Sequence, residues 1–381
     1  PRAPSMMLRA WSMLLQALWH LGLRARLILP ICVTAHKPRA VEADANLLDT
    51  IRAGWSAWDL GLTPKRLSWL LLTGGQSSIN KVVGLVFADS DRQPRMIVKW
   101  PRVPESIHAL AQEAATLQAV QALRPGGMPD VPRVIFFREC AGRTALGETV
   151  LKGQPLFTLV RPDNYRDLAL KVTDWLADLA GHAPPRSRAD WWNRLIETAL
   201  TDFEQSFGIV LDPSRLRETR AILSTLGDLP LVCEHRDCSP WNVLVRADGE
   251  LAFLDWESAE PCGLPALDLI YFLTYLAFFV DGAMESGRFR DSYRAALNPA
   301  TFTGKVLAEC QRQYITRTGL DPAALRPLRL LVWLIHSQSE YEQFVAEAAG
   351  QPEPAALRCS LFVSLWEEEL HYANGAVKTG A

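Results

Sequence analysis

Four residues that can bind a metal ion or carry a proton lie close together in the stretch CEHRDCSPWNVLVRADGELAFLDWES: His235, Asp237, Asn242 and Asp255. Asn242 and Asp255 offer hard oxygen ligands, which suit Mg²⁺ when phosphate oxygens complete the coordination shell. Asp237 can accept a proton from a hydroxyl group as its oxygen attacks phosphorus. An Asp, an Asn five positions later and a second Asp after a strand form the pattern of kinase-type phosphoryl transfer.

The segment between Asn242 and Asp255 predicts a β-hairpin. Two apolar runs flank Asp248-Gly249, which is a strong turn signal. With those two residues as the turn, Asn242 lies opposite Asp255 and their Cβ atoms are roughly 5 Å apart. The alternative is that both side chains only satisfy the backbone of nearby loops. The hairpin would bring the two predicted metal ligands together where the loop 235–240 enters.

Composition limits the class of protein. The chain has 381 residues, of which 49% are hydrophobic, and a formal net charge of −2. A chain of this length forms two or three domains, and its near-neutral charge argues against a nucleic-acid partner. The seven cysteines are scattered without a CxxC pair, which indicates reduced thiols in a cytoplasmic protein rather than a zinc site or a disulfide framework.

The elements that position these residues fall into a β-rich part and a mainly helical part. Apolar runs separated by turn residues predict strands over 67–73, 80–88, 95–100, 132–139 and 145–152. Apolar residues at helical intervals predict a helix over 104–123, and the patterns from Tyr165 onward are mainly helical. The sequence therefore predicts an α+β fold in which a small antiparallel β lobe precedes a larger helical lobe.

The quoted stretch resembles the catalytic motif of the aminoglycoside phosphotransferase and choline kinase-like family, the small-molecule branch of the protein kinase-like fold. Family members commonly read H-G-D-x-x-x-x-N followed by I-D-W/F-E, and this chain reads HRDCSPWN and FLDWE. It departs from the family at Arg236, where Gly is usual. GLPALDL (263–269) resembles the family's G-x-P-x-x-D-L, whose Asp268 braces the catalytic loop. The resemblance covers about residues 67–345, and it implies a bilobal fold, ATP and Mg²⁺ as cofactors, and a small-molecule acceptor.

The resemblance also implies roles for individual residues. Asp237 is the expected catalytic base, with Arg236 beside it and His235 bracing the loop, while Asn242 and Asp255 are the expected Mg²⁺ ligands. Family members further need a phosphate-covering loop, a strand lysine and a helix glutamate. The residues that match these nucleotide-binding features are Gly74, Gly75, Ser77, Ser78, Lys99 and Glu113, and we add Leu151 to them.

The nucleotide-binding residues have plainer explanations as well. The loop TGGQSSINKVV lacks G-x-G-x-x-G, so only its hydroxyls and the backbone amides after the glycines are left to hold phosphate. Lys99 by itself could be an exposed lysine at a strand end. Glu113 lies beside the apolar stripe of its helix, which suits a Lys–Glu pair that orients the lysine toward phosphates.

The short connection after Asp255 indicates a small acceptor. A protein kinase places an activation loop and a peptide-docking segment after its metal-binding Asp, whereas here Asp268 follows by only thirteen positions. We therefore expect a kinase that phosphorylates a hydroxyl of a small molecule. Its predicted parts are an N-terminal helical extension (1–60), a nucleotide-binding lobe (61–154) and a lobe with the catalytic loop and acceptor site (155–381).

Other functions fit parts of the pattern. A nucleotide-binding pseudokinase or scaffold, recruited through its N-terminal helix, fits Arg236 and the atypical phosphate loop. A metal-dependent phosphatase lacks the extra carboxylates that a two-metal site would want. The acceptor itself is open, since aminoglycosides, choline-like amines, amino-acid alcohols, sugars and nucleosides all suit this scaffold.

The N-terminal segment predicts a helix over 6–29 with a wide apolar face. A narrow polar stripe crosses it, formed by Ser12, Gln16, His20 and Arg24. Its uncharged run is shorter than the about 20 residues that span a bilayer. We favour a helix docked on this chain or on a second subunit, with peripheral contact to a membrane surface as the alternative. The expected location is cytoplasmic, with or without membrane association.

Overall fold

The computed structural model describes residues 47–73, 81–140, 142–181, 185–348 and 350–378. Two sequence predictions fall outside these residues and stay predictions. One is the N-terminal helix over 6–29, with its docking or membrane contact. The other is the phosphate-binding role of Gly74, Gly75, Ser77 and Ser78.

The first lobe is a β-sheet with helices on both faces. Within the described residues, five antiparallel strands pair in the order β1-β2-β3-β5-β4. These strands are β1 (Leu67–Thr73), β2 (Lys81–Ala88), β3 (Met96–Pro101), β4 (Val134–Cys140) and β5 (Arg143–Thr149). The helices of this lobe are α1 (Leu47–Gly54) and α2 (Ile107–Ala122).

Alternation along the strands gives this sheet its two buried faces. Successive strand residues point to opposite sides, and neighbours in β5 show the result: Ala145 packs in a cluster with Ile51 of α1, whereas Leu146 packs with Leu110 of α2. Lys99 lies directly opposite Leu146 in the β3–β5 register. Lys99 therefore emerges on the face that α2 covers.

The second lobe is mainly helical. Its helices are α3 (Tyr165–Ala180), α4 (Arg188–Trp192), α5 (Thr198–Phe207), α6 (Pro213–Leu223), α7 (Leu267–Val280), α8 (Ala283–Ser286), α9 (Phe289–Leu297), α10 (Phe302–Thr318), α11 (Leu325–Ala348), α12 (Pro354–Leu357) and α13 (Leu361–Lys378). Helix α7 is apolar on all sides and its residues are buried from Leu267 to Phe278, as expected for a central helix. Trp333 of α11 and Trp366 of α13 are fully buried in the same core.

Short strands lie before, within and after the stretch 233–258 of this lobe. They are β6 (Gln154–Pro155), β7 (Pro185–Arg186), β8 (Leu229–Pro230), β9 (Val232–Glu234), β10 (Val243–Val245), β11 (Leu251–Phe253) and β12 (Glu260–Gly263). The hairpin β10–β11 also pairs with β6, and β9 pairs with β12. The two-lobed α+β architecture confirms the predicted fold class.

The predicted register of the hairpin is wrong by one residue. Val243 pairs with Phe253 and Val245 with Leu251, so Leu254 lies opposite Asn242 and donates its backbone N–H to the Asn242 carbonyl. The cause is a three-residue turn, which ends at Gly249 in the left-handed region (φ 83°). One extra turn residue shifts every pair along the hairpin by one position.

None of the helices among the described residues is both long and apolar enough to cross a membrane.

Candidate active site

The catalytic loop (residues 235–242) is held mainly through its backbone. Asp268, in the first turn of α7, accepts hydrogen bonds from the backbone N–H groups of His235 (2.6 Å) and Arg236 (2.8 Å). The His235 ring lies 2.8 Å, through Nε2, from the Leu254 carbonyl, and its Nδ1 accepts the Asp237 backbone N–H. Because Nδ1 accepts, Nε2 carries the proton, and burial lowers the pKa of this neutral ring. The loop is thereby fixed on both sides, by α7 and by the end of the hairpin.

Asp237 and Asn242 are brought into direct contact. The Asn242 side-chain amide donates to the Asp237 carboxylate (2.7 Å) and to the Asp237 carbonyl (2.9 Å). Burial raises the pKa of Asp237 to about 7, the nearby charge of Asp255 adds to this rise, and the Asn242 hydrogen bond opposes it. A carboxyl group with a pKa near 7 is well matched to proton transfer at neutral pH.

Asp255 follows β11 but does not continue the extended backbone of that strand. It adopts a left-handed backbone (φ 62°), which is uncommon for a residue with a side chain and breaks the strand alternation after β11. Its carboxylate is 40% exposed. Burial works to raise the pKa of Asp255, but the ammonium groups of Lys99 and Lys81 outweigh it and hold the pKa below its ordinary value. Asp255 is therefore ionised and partly accessible.

These residues have the chemistry of an Mg²⁺ site. Because the Asn242 amide nitrogen is occupied by Asp237, its Oδ1 remains as a neutral oxygen donor, and the ionised Asp255 carboxylate is a second oxygen donor. Within the described part of the chain, no group of three or more His, Cys, Asp or Glu side chains is arranged to hold a metal ion. Two oxygen donors are compatible with Mg²⁺, which commonly keeps water and phosphate oxygens as its remaining ligands.

A lysine cluster faces this site from the first lobe. It comprises Lys81, Lys99, Glu113 and Glu148 of the first lobe, together with Glu257, which follows β11 in the second lobe. Lys99 Nζ lies 2.5 Å from Glu113 Oε1 and 3.1 Å from Glu148 Oε1. Lys81 Nζ lies 2.7 Å from the other oxygen of Glu113 and 2.5 Å from Glu257 Oε2, and 3.7 Å from Asp255 Oδ1. The predicted Lys99–Glu113 contact is therefore present, and Glu113 connects two lysines.

Burial and charge compete within the lysine cluster. Burial acts to lower the pKa of Lys99, but Glu148 and Glu113 raise it well above its ordinary value. Burial also acts to lower the pKa of Lys81, as does the charge of Lys99, and the surrounding carboxylates still raise it overall. Burial raises the pKa of Glu148 to about 7 against the attraction of Lys99. Both lysines are consequently charged.

Sequence reasoning missed three members of the lysine cluster. Lys81 is the first residue of β2, and on the β2–β3 register it shares the face of Lys99. Glu148 lies in β5 opposite Ile97, two residues along from Lys99 on the same face. Glu257 is the last residue of the FLDWE motif. The available signals were a charge inside an apolar strand for Glu148 and the motif itself for Glu257.

Two predicted site residues lie apart from these contacts. Leu151 follows β5 and lines a cavity of about 310 Å³ with Gln121, Met128 and Arg133. The Arg236 side chain has no recorded contact with the lysine cluster within the described residues and donates through Nε to Glu234 Oε2 (3.0 Å). The structure thus brings Asp237 into contact with Asn242, and Lys99 into contact with Glu113. Leu151 and the Arg236 side chain take part in neither contact.

Comparison with known proteins identifies related sequences and folds. The sequence model described as the phosphotransferase enzyme family matches residues 75–310. A solved structure described as a fructosamine-3-kinase from Haemophilus somnus 129PT has a TM-score of 0.51 at 12% identity, covering 85% of this chain and 98% of that one. The comparison with curated proteins found no match.

Two further solved structures resemble the chain less closely. Choline kinase LicA from Streptococcus pneumoniae has a TM-score of 0.48 at 15% identity, covering 84% of this chain and 96% of that one. An aminoglycoside phosphotransferase from Streptomyces rimosus has a TM-score of 0.46 at 14% identity, covering 77% and 97%. At these identities, the structural similarity concerns the protein kinase-like fold alone.

Proposed function

The chain belongs to the phosphotransferase enzyme family, and from this premise we propose that it is an ATP- and Mg²⁺-dependent kinase that transfers the γ-phosphate to a hydroxyl of a small molecule. The observation that carries the proposal is the contact between Asp237 and the Asn242 amide, beside the ionised Asp255. That arrangement supports a base and two oxygen ligands acting around one reacting position.

The first lobe (61–154 in our division) holds the nucleotide in this proposal. Glu113 orients Lys99 toward the α- and β-phosphates, as a Lys–Glu pair does in kinase-type sites. Lys81 is a second cation within reach of the same region, since it contacts both Glu113 and Glu257. The Gly74–Ser78 loop would cover the phosphates. These groups bind and orient charge; they form no covalent bond with the nucleotide.

Asn242 and Asp255 would hold Mg²⁺ in this proposal. The ion, when bound, neutralises the charge that develops on the phosphate oxygens. Asp255 is kept ionised by the lysines, and Asn242 is kept in the required orientation by Asp237. The residues of the chain therefore prepare the oxygen ligands before the metal and nucleotide arrive.

Asp237 is the proposed base. Its carboxylate accepts the proton of the acceptor hydroxyl as the oxygen attacks phosphorus. Asp268 and His235 act as positioning residues, because they hold the loop backbone on both sides of Asp237. The acceptor would lie between the catalytic loop and the helices of the second lobe (155–381 in our division).

The test measures binding and transfer separately. Titration with ATP, with and without Mg²⁺, should show metal-dependent binding by the wild-type chain. ADP release in the presence of a panel of hydroxyl compounds should identify acceptors, and Asp237→Asn should bind ATP but release far less ADP. Binding without transfer to any member of a broad panel would favour a nucleotide-binding pseudokinase.

A further inference from the structure

A cavity of about 270 Å³ lies in the helical lobe beside the catalytic loop. Its walls come from the segment 194–202, from α11 and from the catalytic loop itself. Two arginines, Arg194 and Arg236, line it, and the acidic side chain in the lining is the exposed Asp202. This volume is near the lower end of about 300–1,000 Å³ for small-molecule sites. The cavity therefore suits a small, polar molecule.

Arg236 is held at this wall in an unfavourable backbone conformation. Its φ of 63° lies in the left-handed region, where a residue with a Cβ atom is disfavoured and glycine is not. The Asp268 carboxylate, which accepts the Arg236 backbone N–H, holds the backbone in this shape. Any side chain would suffer the same strain here, so the backbone alone gives no reason for an arginine. An arginine kept at a strained backbone position indicates that the arginine side chain has a function.

The hydrogen bonds of Arg236 leave most of its guanidinium group available. Nε donates to Glu234, whose other oxygen accepts the backbone N–H of Leu264. Within the described residues, neither terminal nitrogen of Arg236 has a recorded hydrogen-bond partner, and the side chain is 27% exposed. Arg194 differs, because its guanidinium is already bound by Glu260 and by the Cys262 carbonyl. Among the described residues that line this cavity, Arg236 is thus the arginine whose two terminal nitrogens both remain available to donate.

The cavity lies beside the loop that carries the proposed base, because Arg236 lines it and immediately precedes Asp237 in the chain. His336 of α11 lines the cavity and stacks on Tyr271 of α7, with ring centroids 3.7 Å apart. Burial and the neighbouring Arg236 lower the pKa of His336 to about 3, so His336 is neutral and adds no charge. A small molecule bound at Arg236 would therefore lie next to the loop segment that carries Asp237.

We propose that the cavity binds an anionic group of the acceptor through the Arg236 guanidinium. The acceptor is then a small hydroxy acid, or an alcohol that already carries a phosphate group, rather than an amine. Carboxylate and phosphate oxygens share the chemistry required, since both accept paired hydrogen bonds from a guanidinium fork. The proposal rests on the proposed kinase function for the position of the hydroxyl, whereas the anion site can be tested by binding alone.

The test uses the full chain and matched probes. Binding of hydroxycarboxylic acids, of the primary amides of the same acids, of phosphorylated alcohols and of amino alcohols is measured by ligand-observed NMR, with and without Mg²⁺ and a non-hydrolysable ATP analogue. At least one acid or phosphorylated alcohol should bind, and the matched neutral compound should bind about tenfold to a hundredfold more weakly, the usual scale for a charged hydrogen bond. Which of the two anions binds identifies the group that Arg236 recognises.

Variants separate recognition from folding. Arg236→Gln should weaken binding of the anionic probe by about tenfold or more, and Arg236→Lys should recover part of the loss because charge remains without the fork. Arg161→Gln, at an exposed arginine paired with Asp163, is the matched control and should bind normally. If Arg236→Gln unfolds because Glu234 loses its partner, the double variant Glu234→Gln/Arg236→Gln takes its place in the binding measurement. The double variant removes both members of the buried ion pair and so leaves no unpaired charge.

Three results would overturn the proposal: no acid or phosphorylated alcohol binds, amides or amino alcohols bind as tightly as the acids, or Arg236→Gln retains the affinity. Failure of the kinase proposal looks different. In that case the chain would bind the anionic probe but would neither bind Mg²⁺ with ATP nor release ADP with any bound probe.

Discussion

The catalytic loop and the lysine cluster both gather charged groups, but they are held in different ways. In the loop, the carboxylate of Asp268 and the ring of His235 bind backbone groups, and Asn242 fixes Asp237 from within the same loop. In the lysine cluster, side chains from β2, β3, α2, β5 and the segment after β11 neutralise one another. The loop is built for orientation, whereas the cluster is built for charge balance.

This difference predicts different consequences of mutation. A side chain that only orients a neighbour can be replaced by an isosteric one with little loss of folding stability. A buried ion whose partner is removed keeps its desolvation cost and loses its compensation. Substitutions in the loop should therefore affect turnover more than folding, and substitutions in the lysine cluster should affect both.

The largest stability effect is expected for Lys99→Met. Within the described residues, Lys99 is the recorded ion-pair partner of the buried Glu148, whereas Glu113 also contacts Lys81. Removing one member of a buried ion pair costs about 3–5 kcal/mol, measured as the free energy of unfolding in denaturant. Lys99→Met/Glu148→Gln should recover most of that loss. If the single variant is as stable as wild type, charge balance does not hold this cluster together.

Asp237→Asn should produce the largest loss of turnover for the least change in stability. The amide cannot act as the base, so transfer should fall by about 10²-fold or more. ATP affinity and thermal unfolding should stay close to wild type, because Asn242 still has an oxygen at position 237 to which it can donate. Single-turnover transfer to a responsive acceptor measures the effect. Unchanged transfer would remove Asp237 from the proposed role.

The sequence predicted the loop better than the lysine cluster for a physical reason. Asp237 and Asn242 are close in the chain, so their contact depends on one short loop. Lys81 and Glu148 meet the same site only because β2, β3 and β5 are neighbours in the sheet, and hydrophobic periodicity does not reveal strand order. The register error likewise came from Gly249, since two apolar runs around Asp-Gly do not distinguish a two-residue from a three-residue turn.

Asp268→Asn tests how much the catalytic loop depends on the carboxylate that holds its backbone. The carboxylate accepts two backbone N–H groups, and an amide can accept only through its oxygen while its own N–H₂ faces the second donor. Leaving one buried donor unsatisfied costs about 1–3 kcal/mol. We expect a stability loss of that size together with weaker transfer, while ATP binding by the first lobe is retained. Stability loss without any change in transfer would show that the brace serves folding alone.

The last expected effect is a change in how stability depends on pH. Burial raises the folded-state pKa of Glu148 to about 7, above the ordinary value of 4.5 that it has in the unfolded chain. The native state therefore binds this proton more tightly, so the stabilisation is complete below about pH 4.5 and is lost as the pH rises through about 7. Glu148→Gln cannot ionise and should show a flatter stability profile between these values, with urea unfolding as the measurement. Glu139→Gln, an exposed position on β4, is the control for the loss of one carboxylate. Equal slopes for wild type and Glu148→Gln would mean that Lys99 keeps Glu148 ionised throughout, and that the lysine cluster is balanced as completely as the catalytic loop is oriented.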